Sequence, residues 1–134
     1  MTATPQVFEG ACLCGAVQFR VGAPTLWCAH CHCTMCQRAH GAAFVTWVGA
    51  DATRVSIDGP TLSWHESSAK DERGFCSSCG SSMFFPSERW PGEIHITRAN
   101  FRGGIDREPE GHSFYDTHVG WFPITDDLPK SLPT

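Results

Sequence analysis

The sequence lacks three features, and each absence argues against a class of protein. Its longest apolar stretch, 41–50, is interrupted by Thr46 and is far shorter than the roughly 20 residues that a membrane-spanning helix needs. The opening MTATPQVFEG has neither a basic start nor an apolar segment, so we expect a cytoplasmic protein with no membrane partner. Ten basic residues stand against 14 acidic ones, and the formal charge of −4 opposes attraction to a phosphate backbone. We therefore expect no nucleic-acid partner.

The length and the turn pattern predict a single, mainly β domain. A chain of 134 residues fits one domain, which we place at 1–134, and such a domain buries about two thirds of the surface of its unfolded chain. Glycine and proline recur at short intervals and separate short runs of alternating or β-branched residues. These runs are 16–21, 43–48, 54–57, 61–65, 82–85, 93–97 and 113–115.

Alternation within two of these runs predicts strands with one buried face. In AVQFRV, the side chains of Val17, Phe19 and Val21 fall on one face and polar side chains fall on the other. Ile94 and Ile96 repeat this spacing further along the chain. Such strands are typical of antiparallel sheets that are half buried.

One short helix is predicted, at 34–40. Thr34 has a side chain that can cap the start of a helix, and Gly41 can adopt the left-handed conformation that ends one. No other segment shows a helical pattern, so the fold is expected to contain little helix.

Eight cysteines at short spacings indicate metal binding, because a reducing compartment disfavours disulfides. Cys12 and Cys14 form a CxC pair flanked by glycines, and Cys76 and Cys79 form a CxxC pair followed by Gly80. Glycine-flanked pairs of this kind are zinc knuckles. Together they supply four thiolates, enough for the closed tetrahedral site of a structural zinc. The ion would join two hairpins that lie 62 residues apart and would add to folding stability.

A third cluster, formed by Cys31, Cys33 and Cys36, has the ligand count of an open metal site. Three protein ligands leave one position for water or substrate. Cys28 forms a further CxxC pair with Cys31 and would close this site as a fourth thiolate. If the chain is extended here, Cys28 points away from the face that carries Cys31 and Cys33. We therefore interpret Cys28 as a buried small hydrophobe, and the closed site remains the alternative.

The order of these motifs along the chain resembles one family, the glutathione-dependent formaldehyde-activating enzymes, which include centromere protein V. The matching stretches are GACLCGAVQF (10–19), CHCTMCQRAHGAAF (31–44), FCSSCGSSMFF (75–85) and HSFYDTHVGWFPITDDLP (112–129). The resemblance covers nearly the whole chain. It implies a β-tent fold of layered antiparallel sheets, with zinc joining the sheets and one short helix.

The resemblance also implies the metal sites and the reaction. A structural zinc would be held by Cys12, Cys14, Cys76 and Cys79, and a second zinc, open to a thiol substrate, by Cys31, Cys33 and Cys36. The expected cofactors are thus two Zn²⁺ per chain. The implied partner is a small-molecule thiol such as glutathione, which with formaldehyde gives S-(hydroxymethyl)glutathione in a carbon–sulfur lyase or synthase reaction.

Two segments depart from the family pattern. Gln37 stands where the family often has an arginine, and Arg38 follows it. The loop ANFRGGID, 99–106, stands where the family often has Leu-Asp. If these residues contact the substrate, the identity of the substrate is open.

Histidines outside the clusters are weaker candidates for a chemical role. His30, His32 and His40 flank the open cluster. One interpretation is that they carry protons in the reaction, and the alternative is that each imidazole is exposed to solvent or hydrogen-bonded within the core. The others are interpreted as structural, capping or surface residues: His65, His95, His112 and His118.

Arginines and aromatic residues complete the candidates. Arg38, Arg73 and Arg98 can pair with the carboxylates of glutathione, although a solvated arginine is the commoner case. The KDER segment, 70–73, is interpreted as a charged turn. The aromatic residues are read first as core or sheet-edge packing, with the lining of a pocket as the alternative: Trp27, Phe44, Trp47, Trp64, Phe84, Phe85, Trp90 and Trp121.

Three functions compete at this point. The favoured one is a zinc lyase that acts on a thiol adduct. The second is an interaction module in which both zinc sites are closed, and Cys28 distinguishes it from the first. The third is a CxxC redox protein, which is disfavoured because such proteins place the motif next to a parallel βαβ unit and the sequence shows none.

Overall fold

A computed structural model describes residues 6–130, which form ten strands, one α-helix and three 3₁₀ turns. The strands are β1 (Val7–Ala11), β2 (Gln18–Gly22), β3 (Trp27–Cys31), β4 (Val45–Asp51), β5 (Val55–Asp58), β6 (Leu62–Ser68), β7 (Asp71–Cys76), β8 (Ser82–Pro86), β9 (Glu93–Thr97) and β10 (His112–Ser113). The helix, α1, spans Thr34–His40. The 3₁₀ turns cover Ala52–Arg54, Arg98–Asn100 and Tyr115–Thr117.

The strands form two sheets. One has three antiparallel strands in the order β1-β2-β5. The other has seven strands in the order β10-β3-β4-β9-β8-β7-β6, and its neighbours are antiparallel except for β10, which runs parallel to β3. The expected mainly β, layered architecture with one short helix is confirmed, and the short parallel pair is its one departure from fully antiparallel sheets within residues 6–130.

The seven-stranded sheet is buried on both faces near its middle. On one face Val48 and Phe84 pack against Phe19 of the three-stranded sheet, and we call this cluster the intersheet core. On the other face Trp47 and Phe85 pack with sulfurs of the open cysteine cluster, and we call this the second core. Neighbouring residues divide between the two cores because successive side chains of a strand point to opposite faces.

The predicted alternation in β2 is confirmed. Val17, Phe19 and Val21 are buried, whereas Gln18 and Arg20 are exposed. This strand therefore presents one apolar face to the intersheet core and one polar face to solvent, as its sequence indicated.

β7 is where the sequence interpretation was wrong. In KDER, Lys70 alone takes the turn, with a φ of 68°, and Asp71 begins the strand. Asp71 is buried and accepts hydrogen bonds from the hydroxyl groups of Ser68 and Ser87. Arg73 is also buried. Charged residues that look solvent-exposed in the sequence can lie on a buried face when hydrogen-bond partners are present on that face.

α1 has the predicted bounds and ends at Gly41, whose φ is 61°. Its N-terminal cap is Cys33 rather than the predicted Thr34, and the Cys33 sulfur accepts a hydrogen bond from the Cys36 amide at 3.2 Å. The helix start therefore fixes two sulfurs of the open cluster relative to each other. No helix within the described range has the length and apolar character that crossing a membrane requires.

Candidate metal centres and substrate cavity

Four cysteine sulfurs converge between the β1–β2 hairpin and the β7–β8 hairpin. The sulfurs of Cys12, Cys14, Cys76 and Cys79 all lie within 4.8 Å of one another, with 3.7 Å between Cys12 and Cys14 and 3.8 Å between Cys14 and Cys76. Tetrahedral ligands at about 2.3 Å from a zinc ion lie about 3.8 Å apart, whereas disulfide sulfurs lie at about 2.05 Å. The cluster therefore fits a tetrahedral metal ion, and zinc is compatible with it.

Hydrogen bonds hold sulfurs of this cluster in place and favour the thiolate form of Cys79. The Val17 amide donates to the Cys12 sulfur at 3.3 Å. The Ser81 hydroxyl accepts from the Leu13 amide at 3.0 Å and lies 3.2 Å from the Cys79 sulfur, so it links the two knuckles. Hydrogen bonds from the Ser81 hydroxyl and backbone lower the pKa of Cys79 to about 5. A thiolate is the form that binds a metal.

The second group joins Cys31 at the end of β3 with Cys33 and Cys36 at the start of α1. Their sulfurs lie within 4.8 Å of one another, and those of Cys31 and Cys36 are 3.6 Å apart. Hydrogen bonds with the Cys31 and Cys36 sulfurs, together with the positive charge of Arg73, lower the pKa of Cys33. Three sulfurs at these separations fit three corners of a tetrahedron and leave the fourth free.

Cys28 lies on the opposite face of β3 from this group. It is fully buried in the intersheet core, whereas Cys31 belongs to the second core. The extended geometry assumed from the sequence is confirmed, because β3 includes both residues. Burial raises the pKa of Cys28 to about 11, which disfavours a thiolate. Within residues 6–130, no fourth cysteine sulfur joins those of Cys31, Cys33 and Cys36.

A cavity of about 510 Å³ opens beside the three-cysteine group, within the size range of small-molecule sites. The three cysteines of the open cluster line it. Its apolar walls are aromatic: Trp27, Trp47, Phe85, Trp90 and Phe114. A side-chain carbon on Gly49 would lie 2.2 Å from the Trp27 indole, so a glycine in β4 lets this ring lie close against the strand.

Arg73 brings a buried positive charge to this cavity. It is 6% exposed, its Nη2 lies 3.9 Å from the Cys36 sulfur, and its guanidinium lies 4.8 Å from the centre of the Phe85 ring. Its Nη1 is buried and has no hydrogen-bond partner among residues 6–130. Burial and the charge of Arg73 lower the pKa of the neighbouring His40 to about 4. The guanidinium is therefore a fixed cation beside the open cluster.

A second arginine stands further from the sulfurs. Arg89 lines the same cavity, has a half-exposed side chain and forms an ion pair with Asp71 at 3.3 Å. Its guanidinium also lies 4.7 Å from the centre of the Trp90 ring. Arg89 is thus a partly solvated cation, whereas Arg73 is buried.

His95 also lines the cavity, although the sequence indicated only a structural role. It is buried, and its Nε2 lies 3.1 Å from the Glu93 carboxylate, which also accepts a hydrogen bond from the Trp27 indole at 3.0 Å. Burial lowers the pKa of His95. This hydrogen-bonded group fixes one side wall of the cavity.

Behind the open cluster, two buried histidines and one carboxylate form a chain of hydrogen bonds. His32 Nε2 lies 2.8 Å from His112 Nδ1, and His112 Nε2 lies 3.1 Å from the Asp126 carboxylate. The hydrogen bond from His112 lowers the pKa of Asp126, so this carboxylate is ionised and can only accept. His112 Nε2 therefore carries the proton of that hydrogen bond, and a neutral His112 accepts a hydrogen bond at Nδ1 from His32 Nε2. The buried His32 Nδ1 is left as an acceptor, without a partner in the part of the chain that is described.

Exchange of His112 for phenylalanine should destabilise the protein by about 2 kcal/mol, because it leaves the donor of buried His32 unsatisfied. The midpoint of urea unfolding would measure this loss. His65→Phe is the matched control, because His65 is exposed and should tolerate the same change. Equal effects of the two substitutions would contradict a stabilising role for the hydrogen-bond chain.

The remaining sequence candidates lie away from the cavity wall. Arg38 is exposed on α1, and Arg98 lies over the Phe101 ring. Gln37, the first departure from the family pattern, donates to the backbone carbonyls of His32 and Thr117. The other departure, the loop 99–106, contributes no residue to the cavity lining within the described chain. Neither departure therefore contributes a residue to the cavity lining within residues 6–130.

Sequence reasoning did not identify Glu93, Arg89 or Asp126, and it gave no preference to Arg73. Each is one charged residue in an ordinary polar context, and each acquires its role through a partner far away in the chain. Asp126 is 14 residues from His112, which itself meets a histidine 80 residues earlier. The family-like tail was the signal available for His112 and Asp126, since both lie within it.

A family model and one named relative point to the same family. Residues 7–117 match the family described as "Glutathione-dependent formaldehyde-activating enzyme". A Halomonas elongata protein named for that family is 29% identical over 133 residues, covering 88% of this chain and 81% of its own. A protein of Schizosaccharomyces pombe named as an uncharacterised lyase is also 29% identical, covering 93% of this chain and 96% of its own.

A solved structure supports the fold. The crystal structure of a Rhodobacter sphaeroides protein superposes with a TM-score of 0.61 at 23% identity, covering 73% of this chain and 91% of its own. This likeness concerns the architecture alone.

Proposed function

Because the chain belongs to the glutathione-dependent formaldehyde-activating enzyme family, we propose that it is a zinc-dependent carbon–sulfur lyase acting on glutathione and formaldehyde. Its product in the synthetic direction would be S-(hydroxymethyl)glutathione. The observation that carries this proposal is the three-sulfur group with a free fourth corner, which lines a cavity large enough for a tripeptide thiol.

The metal ligands follow from the two groups of sulfurs. Cys12, Cys14, Cys76 and Cys79 would hold a structural zinc, and Cys31, Cys33 and Cys36 would hold a second. Bound at the second site, zinc would keep an incoming thiol in its thiolate form, which is a minor form in water because a free thiol has a pKa of about 8.5.

The protein's own residues would bind and orient the substrate. The aromatic walls would cover its carbon atoms and exclude water from the reacting sulfur. The outer guanidinium, Arg89, is placed to meet a carboxylate of the tripeptide at some distance from the sulfur. Holding the nucleophile in one orientation removes much of the entropic barrier to a reaction between two molecules.

The reaction itself needs no oxidant or reductant. The glutathione sulfur attacks the formaldehyde carbon, the C–S bond forms, and the electron pair of the carbonyl double bond moves to oxygen, which takes up a proton. The thiol proton is released when the thiolate forms, so atoms and charge balance. In the lyase direction the same C–S bond breaks.

Titration calorimetry with the zinc-loaded protein tests the proposal. Glutathione should bind, whereas S-methylglutathione, which has the same carboxylates and no free thiol, should bind at least about 100-fold more weakly if sulfur is the ligand. Exchange NMR should then show faster interconversion of free and adduct formaldehyde with the protein than without it.

Two outcomes would contradict the proposal at different levels. A protein that holds two zinc ions and binds no small thiol at millimolar concentration would favour the closed interaction module. If the protein bound glutathione and free cysteine with equal affinity, it would still be a thiol lyase, but glutathione would not be its specific substrate.

A further inference from the structure

Among the charged groups of the cavity, the guanidinium of Arg73 has no role in the proposed binding of glutathione. It is 6% exposed, and no carboxylate of residues 6–130 pairs with it within salt-bridge distance. The acid on the same face of β7, Asp71, is engaged instead by two hydroxyl groups and by Arg89. An ionised group buried in this way is costly unless another charge offsets it.

The open cluster provides part of that charge. Three thiolates and one divalent ion carry a single net negative charge, and Arg73 Nη2 reaches the Cys36 sulfur at 3.9 Å. The face of the Phe85 ring offers a further favourable contact at 4.8 Å. Nη2 thus has the Cys36 sulfur as its partner, and the flat face of the guanidinium has the Phe85 ring. These contacts leave Nη1 as a buried donor that still needs an acceptor.

We propose that Arg73, which lines the cavity, is a catalytic residue whose guanidinium donates a hydrogen bond to the substrate oxygen that becomes negative as sulfur attacks the carbonyl carbon. The inference rests on the proposed function of this site. The guanidinium keeps its proton throughout, because arginine is not deprotonated in proteins. It therefore stabilises the negative oxygen without becoming the acid that later protonates it.

The location favours this oxygen over the carboxylates of the tripeptide. Nη2 touches a sulfur of the open cluster itself, so the guanidinium lies beside the reacting sulfur. The oxygen is bonded to the carbon that the sulfur attacks, whereas the carboxylates of glutathione are separated from the sulfur by several bonds. A preorganised donor in a site without water is worth about 10²–10³-fold in rate when the charge develops in front of it.

Binding of thioacetate provides a test that does not depend on catalysis. Thioacetate carries sulfur, carbon and a negative oxygen in the order that the addition produces, and ethanethiol has a methylene in place of the carbonyl. The ratio of their dissociation constants should favour thioacetate in the wild type. In Arg73→Met this ratio should fall by about 10- to 100-fold, the loss expected for one charge-assisted hydrogen bond. Arg38→Met removes an exposed arginine outside the cavity and should leave the ratio unchanged.

Zinc is counted in every variant, because Arg73 also contacts a cysteine of the open cluster. If Arg73→Met loses the second zinc, Arg73→Lys is measured instead. Lysine keeps the charge and lacks the second arm of the guanidinium, so it should keep the metal and lose most of the preference for thioacetate. A zinc-loaded lysine variant with the full preference, or a methionine variant that keeps both zinc and preference, would overturn the assignment.

The rate of formaldehyde exchange adds a second readout. Arg73→Met should lower it by about 10²–10³-fold with little change in glutathione affinity, and millimolar guanidinium ion should restore part of the loss. If the wild type prefers thioacetate through Arg73 and yet does not accelerate formaldehyde addition, that result would reject the proposed function. The role of Arg73 would then apply to another carbonyl substrate. Normal acceleration without any effect of Arg73 would reject the inference alone.

Discussion

Cys79→Ser should leave the domain largely unfolded at 25 °C. Cys79 is one of four sulfurs that join the β1–β2 hairpin to the β7–β8 hairpin, and the cluster borders the intersheet core. Structural zinc contributes about 10–16 kcal/mol in zinc-finger peptides at neutral pH, whereas the whole stability of a domain is about 5–15 kcal/mol. A serine oxygen replaces a thiolate poorly on a borderline-soft ion, so most of this contribution should disappear.

Far-ultraviolet circular dichroism and metal analysis would measure the change. The purified variant should lack cooperative thermal unfolding and contain less than one tightly held zinc ion per chain. Cys33→Ser is the matched control, because it makes the same chemical change in the open cluster, outside the intersheet core. An unchanged melting temperature of Cys79→Ser with full zinc content would show that these four sulfurs do not hold a structural ion.

The sequence predicted the parts of the fold that depend on local patterns. Alternation identified β2 through Val17, Phe19 and Val21, and a capping glycine identified the end of α1 at Gly41. Short cysteine spacings identified the three-sulfur group and each pair of the four-sulfur group, because ligands close in sequence are already close in space. Strand parity alone placed Cys28 on the face opposite the open cluster.

The polar part of the site was beyond the sequence because it depends on contacts between distant strands. Asp71 and Arg73 resemble solvated charges until β7 pairs with β6 and β8 and turns them inward. In the same way, His95 looks like one residue of a half-buried strand. It becomes part of the cavity wall because β9 is covered on both faces, by the intersheet core and by the second core. Periodicity shows which side chains share a face, but not what covers that face.

The two faces of the large sheet therefore carry different tasks in the proposed function. The intersheet core and the four-sulfur cluster on one face hold the layers together. The second core on the other face supports the three-sulfur group, the aromatic walls and the buried guanidinium. Substitutions at the open site should consequently affect binding and rate more than folding, which is the basis of the following prediction.

Cys33→Ser should lose the second zinc and the binding of glutathione together while the domain stays folded, whereas Cys28→Ala should keep both. Cys33 caps α1 with its sulfur among those of the open cluster, but Cys28 lies in the intersheet core with its sulfur turned away. Loss of a direct ligand should lower the affinity for zinc by more than the roughly 10–100-fold that follows the loss of an outer-shell partner. Cys28→Ala should cost stability alone, about 1 kcal/mol for a small buried side chain.

Calorimetric titration of glutathione, with zinc counted in each variant, decides between an open and a closed site. If Cys28→Ala releases the second zinc, the fourth corner belongs to the protein, and the interaction module replaces the lyase.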